Sequence, residues 1–224
     1  MPKKRKLSVS IVALGPSMKR HFVDQERAAN DGKSRLTDEL WTLNRGAFWL
    51  KGVHLIFSMD SFKVREETFG KTAIERFSHL DTKIFTSEYD ADYPRSEPYP
   101  LAEVEKALPW GGIEPCKVLN NSLNFALAYA LYRKVTHLRL YGCEFATRPS
   151  TLVEDEAHQP WWHAWYMKEN LPECVEPGVE GAAFLLGVAA AQGVEVHIPP
   201  TSTLLDHDLP SFYYGYRDDD DIPL

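Results

Sequence analysis

Cysteine is scarce in this 224-residue chain: there are 3, Cys116, Cys143 and Cys174. The number is odd and no C-x-x-C spacing occurs, which excludes a disulfide framework and a zinc ribbon and fits a reducing, cytoplasmic setting. Basic charge is also short, 25 Lys+Arg against 32 Asp+Glu for a formal net charge of −7. That balance speaks against a generic binder of phosphate backbones, although a locally basic groove around Arg133, Lys134 and Arg139 stays open. Long apolar runs are missing. The stretch Val9 to Leu14 behind Lys3-Lys4-Arg5-Lys6 is too short for a secretory core and has no small-x-small cleavage site, so the basic run reads as a solvated flank of a first strand, and no membrane association is expected. G-x-G-x-x-G, G-x-x-x-x-G-K-[ST] and G-x-S-x-G are all absent, which removes the dinucleotide fingerprint, the P-loop and the hydrolase elbow.

What is present is an ordinary globular composition, 44% hydrophobic and 12% aromatic. A chain of this length buries roughly 70% of the surface it exposes when unfolded, enough to hold one domain together without staples. Apolar, β-branched runs ending in turn residues predict strands at 7–14, 40–43, 53–59, 137–141 and 194–198, with a weaker one at 83–86. A loop rich in Tyr and Pro is expected over 88–100, then a short helix over 101–108. The stretch 121–133, NSLNFALAYALYR, and the stretch 178–192 read as deeply buried helices. Strands alternating with helices imply an α/β, Rossmann-like domain over 1–224, with a mainly parallel sheet and helices on both faces. It carries a Trp-rich insertion at about 147–177 and a flexible acidic tail at 217–224.

In parallel sheets ligands bind beyond the carboxyl ends of the strands, near the point where the strand order reverses. The predicted strands end in Gly15-Pro16-Ser17, Asn44, Asp60, Gly142-Cys143-Glu144 and, just past the last, Thr201-Ser202. Asn121 and Ser122 open a helix whose free N–H groups suit an anion, or serve as a plain cap. Gly-Pro-Ser likewise suits a plain turn. The segment HQPWWHAWYM, 158–167, fits either an aromatic lid over a base or sugar, or a satellite core. His158 and His163 are five apart, not the i, i+4 pair of a helical zinc site, and no metal ligand set is assigned. His163 suits proton transfer, having an unperturbed pKa near neutral.

VALGPS at 12–17, LWTLN at 40–44, VHLIFSMD at 53–60, NNSLNFALAYALYRKVTHLRLYGCEF at 120–145 and GVEVHIPPTSTLL at 193–205 follow one another in the order of a Rossmann-like family. On these residues the chain resembles the 6-hydroxymethylpterin diphosphokinase-like and motility accessory factor proteins. It also resembles the bacterial CMP-sialic acid-using sialyltransferases and, with FYYGYR at 212–217, small phage proteins. The resemblance covers most of the chain outside 61–110 and 146–177.

It implies a nucleotide-dependent transferase, moving a glycosyl or diphosphoryl group from a nucleotide or nucleotide-sugar donor to a small-molecule acceptor or modified nucleobase, in a bacterial or phage-infected cytoplasm. Gly15 and Ser17 then match the phosphate-side turn and Asn44 the nucleoside-side strand end; Pro16, between the first two, and Asp60, at base or ribose with Asn44, are taken as further binding residues. Asn121 and Ser122 match the helix start that steadies leaving-group charge. Gly142 and Glu144 match a Gly-x-acid position at ribose or metal, with Glu where the sialyltransferases have Asp. Their catalytic histidine falls where this chain has His158 and His163, without a matching local motif, and His163 is taken as the acid or base. Mg²⁺ is compatible but indicated by no motif, and the membrane-associating tail of the sialyltransferases is not found. Two other readings stand beside the transferase: a phage protein that sequesters a nucleotide or signal molecule without turnover, and a virion or assembly protein that keeps the fold alone.

Overall fold

Along the first strand Val9 and Ile11 point to one face and Ser10 and Val12 to the other, and all four are fully buried. A strand buried on both sides belongs inside a sheet covered on both faces. The computed structural model shows this arrangement and describes residues 6–15, 17–60, 75–90, 93–144, 172–200, 202, 204 and 205. Seven strands, β1 (Ser8–Val12), β2 (Glu39–Leu43), β3 (Leu55–Phe57), β4 (Lys83–Thr86), β5 (Ser96–Pro98), β6 (His137–Tyr141) and β7 (Glu195–His197), form one sheet in the order β5-β4-β3-β2-β1-β6-β7. Every neighbouring pair is parallel. The fold is α/β and Rossmann-like, and the strand order reverses between β1 and β6.

Helices among the described residues include α1 (Met18–Asn30), α2 (Leu101–Ala107), α3 (Pro115–Val118), α4 (Ser122–Tyr132) and α5 (Pro172–Ala191), with a 3-10 helix at Asn44–Phe48. The larger core lies on one face, where Val9, Ile11, Trp41, Leu55 and Phe57 meet Leu123, Leu127 and Leu131 of α4 and Leu185 and Ala189 of α5. On the opposite face Ile56 and Ile84 pack with Phe77 and Tyr93, and Val12 with Leu50 and Tyr141. The alternation Leu55, Ile56, Phe57 sends successive side chains to opposite cores, as the two-residue period of a strand requires.

Several elements differ from the sequence expectation, among them the short helices at Asn44–Phe48 and Pro115–Val118, which no pattern announced. β5 lies within the stretch read as a loop; it is an edge strand, where Pro98 removes no needed ladder bond. α1 carries little apolar signal because it buries only His21 and Ala28 against the sheet. α5 starts at Pro172, six residues before the predicted Gly178, consistent with proline's tolerance in a first helical turn. The segment HQPWWHAWYM with His158 and His163, residue Pro16, FYYGYR and the acidic tail lie outside the described residues. Among the described residues no helix is long and apolar enough to cross a membrane.

Candidate functional site

Because every strand is parallel, the residues that follow them share one edge of the sheet. At the reversal between β1 and β6 the two chain turns are locked together. The Ala13 N–H donates to the Tyr141 carbonyl and the Gly15 N–H to the Gly142 carbonyl, both at 2.8 Å. The Gly142 N–H donates to Ser17 Oγ, also at 2.8 Å. Gly142 has φ +64°, and a Cβ there would collide with the Ala13 carbonyl, so only glycine suits the position. A Cβ on Gly15 would lie 2.7 Å from the Gly142 oxygen and would collide with Glu144 Oε2. The missing side chain of Gly15 is thus what lets Glu144 lie against the β1 turn.

Both carboxylate oxygens of Glu144 are shielded from solvent and have no hydrogen-bond partner. A carboxylate out of water normally requires donors or a cation, since leaving it bare costs several kcal/mol. Cys143, beside it, is a buried free thiol whose Sγ donates to the Tyr141 carbonyl at 3.4 Å. Burial first, and the Glu144 charge second, push this thiol far above its ordinary range, so it is no nucleophile.

On the other side of β1, the tip of β2 turns into the 3-10 helix at Asn44, which adopts φ 45°, a left-handed conformation that asparagine tolerates better than most residues. Its Oδ1 is buried and without a partner. Thr42 Oγ1 donates to the Val12 carbonyl at 2.6 Å, and a Cβ on Gly46 would collide with Thr42 Oγ1, so glycine leaves this hydroxyl its place beside the β1 tip. Asp60 lies exposed just past β3. Ser122, the first residue of α4, accepts a hydrogen bond from the Met59 N–H at 3.4 Å and so seats α4 on the tip of β3. The cap of α4 is Asn121, whose side chain accepts from the Asn124 N–H at 3.1 Å. Ser122, the other residue proposed from sequence, does not cap.

Glu144, Gly15, Asn44 and Asp60 therefore follow strands that neighbour one another in the sheet, β6, β1, β2 and β3, with Ser122 bonded to Met59 just past the last of them. Three inter-strand steps of about 4.8 Å make an edge of roughly 14 Å, long enough for a nucleotide with a further group attached. Ser202 stands apart, buried in a turn beyond β7, its N–H bonded to Pro199. Among the described residues no group of three or more His, Cys, Asp or Glu could hold a metal ion. His163 and Pro16 lie outside the described residues.

No protein-family model and no curated protein matches the chain. Among solved structures it is similar to the sialyltransferase CstII from Campylobacter jejuni in complex with a substrate analogue, CMP-3FNeuAc, with a TM-score of 0.53 and 14% sequence identity. The alignment covers 88% of this chain and 84% of that one. The likeness is one of fold.

Two further sets of residues support the edge, and neither stands out in the sequence. Asn124, fully buried, donates through Nδ2 to the carbonyls of Val118 (2.9 Å) and Gly178 (3.1 Å) and to Asn120 Oδ1 (3.0 Å), tying α3, α4 and α5 together. Gly181 leaves it room, as a Cβ there would collide with Nδ2. Its one signal in the sequence is an amide inside an otherwise apolar helix. The second set joins α1 to β6: Tyr141 Oη donates to Asp24 Oδ2 at 2.9 Å, and Arg20 Nε lies 3.0 Å from Asp24 Oδ1.

Proposed function

We propose that the protein is a nucleotide-dependent transferase that takes a glycosyl group from a nucleotide-sugar donor bound along the tips of β6, β1, β2 and β3. The observation that carries this is the buried, unpartnered carboxylate of Glu144 at the strand-order reversal, where an open parallel sheet binds its ligand. The fold likeness to a sialyltransferase determined with a CMP-sugar analogue supports the same class of donor.

The charge at the site orders the ligand. Glu144 Oε2 faces Gly15, so a phosphate at the β1 turn would meet a carboxylate, at a cost of about 4 kcal/mol for unit charges 4 Å apart at an effective dielectric of 20. The phosphate is therefore assigned to the α4 start at Asn121 and Ser122, with the helix N–H groups and dipole. Glu144 and Asn44, both bare acceptors, take hydroxyl or amino groups of ribose and base, with Asp60 beside them. This turns around the placement the resemblance implies, in which Gly15 and Ser17 meet the phosphates. His163 is proposed as the general acid or base at the acceptor.

A calorimetric or thermal-shift panel of CMP, UMP, AMP, GMP and their sugar conjugates, with and without Mg²⁺, tests the reading. A ligand at 100 times its Kd stabilises by about 2.7 kcal/mol, and Glu144→Gln removes that response. A flat panel from folded protein rejects it. Binding without turnover, retained in His163→Ala, rejects the transferase in favour of a sequestering protein.

A further inference from the structure

The tip of β6 that carries Glu144 leaves the sheet one residue after its last paired position, Tyr141 opposite Val12. Beyond that point no ladder holds it, and its place depends on contacts from the β1–α1 unit. Two of these come from α1 and its cap. Ser17 Oγ takes the Gly142 N–H, and Asp24 Oδ2 takes the hydroxyl of Tyr141, whose ring is fully buried. A buried phenol needs its acceptor, and the Asp24 side chain is itself only 12% exposed, so the bond is protected from water. The backbone of one residue and the side chain of its neighbour are thus fastened to one helix, and Glu144 follows two positions later.

We propose that Asp24 is a positioning residue for Glu144, acting through Tyr141. This rests on the reading of Glu144 as the ligand-facing carboxylate. The other charged groups around Asp24 do not make the same link. Arg20 and Arg27 meet its Oδ1 at 3.0 and 3.8 Å from the solvent side, and His197 Nε2 stands 3.9 Å from Oδ2. Arg139 donates to Tyr141 Oη at a long 3.4 Å.

The test is amide hydrogen exchange at Gly142, Cys143 and Glu144 in the full chain, with CMP binding measured in parallel. Asp24→Ala and Tyr141→Phe should each speed exchange there by about tenfold or more, with no matching rise at Ile56 and Ile84, and the double variant should go no further than the faster single one. Asp24→Asn, which keeps an acceptor for Tyr141, and Arg20→Ala, which removes an ion pair alone, should stay within about twofold of the parent on the same scale. Affinity for CMP should follow the exchange pattern. Unchanged exchange in Tyr141→Phe, an equal rise at Ile56 and Ile84, or Asp24→Asn behaving as Asp24→Ala would each overturn the proposal. Tyr141→Phe keeps the ring and decides the matter even where Asp24→Ala fails to fold. A parent protein that binds no nucleotide refutes the nucleotide reading, while the exchange pattern still decides this one.

Discussion

Glu144 offers a perturbation whose effects on stability and on binding have opposite signs. Its two carboxylate oxygens are shielded and receive no donor, so the folded protein bears a desolvation cost that the unfolded chain does not. Glu144→Gln removes the charge and keeps the shape, and Glu144→Met removes the polar atoms as well. Mutational data put an unsatisfied buried polar group at about 1–3 kcal/mol, and a charge at the upper end or above. Glu144→Met should therefore stabilise the unliganded protein by about 1–3 kcal/mol, and Glu144→Gln by less because its amide is still unpaired; for a domain of this size about 1–3 kcal/mol raises Tm by roughly 2–12 °C. Urea unfolding at pH 7, followed by tryptophan fluorescence, gives the free energy, and titration with CMP gives the binding. The expected result is higher stability together with lost affinity, the trade-off of a site kept for its ligand. A fall in stability for both variants would show that Glu144 is a structural group with partners in solution, and would remove the observation on which the functional reading stands.

Gly15→Ala places a methyl 2.7 Å from the Gly142 oxygen as well as against Glu144, so it should cost about 1–3 kcal/mol; combining it with Glu144→Ala should recover part of that loss, since the carboxylate goes and the backbone contact remains. A double-mutant cycle in urea that comes out additive would contradict this packing. Asn124→Ala removes the side-chain donor that ties the Val118 and Gly178 carbonyls to α4 and leaves a gap among the three helices, so it should lower stability by about 1–3 kcal/mol, read as a drop in Tm. His21 is buried, and burial, partly opposed by Asp24, holds its pKa below 6.5 in the folded protein. Above pH 6.5 it is neutral in both states. Below it the unfolded chain takes up the proton first, so stability should fall as pH drops toward the folded pKa, by at most about 1.4 kcal/mol per pH unit. His21→Gln should flatten that slope, and an unchanged slope would count against the assignment.

Local pattern was enough to find β1, β6, the all-round apolar α4 and the turns at Gly15 and Gly142, because periodicity and turn chemistry belong to a few neighbouring residues. It also marked Gly15, Asn44, Asp60, Ser122, Gly142 and Glu144 as ends of strands or starts of helices, which the parallel sheet sets along one edge. β5 escaped because a three-residue edge strand with a proline has no pattern of its own, and α1 because little of it is buried. What those residues do at the edge is a long-range matter. Ser17 and Gly142, 125 positions apart, are bonded only because β1 and β6 are neighbours, a contact that ties the two turns together. The same adjacency sets Glu144 against Gly15. Asp24, Tyr141 and Asn124 carry no motif at all. Their roles come from burial and from partners brought in by other elements, which a linear chain does not display. Composition and periodicity therefore settle which elements form, while strand order decides which side chains meet, because pairing energy depends on the packed layers and not on the segment alone.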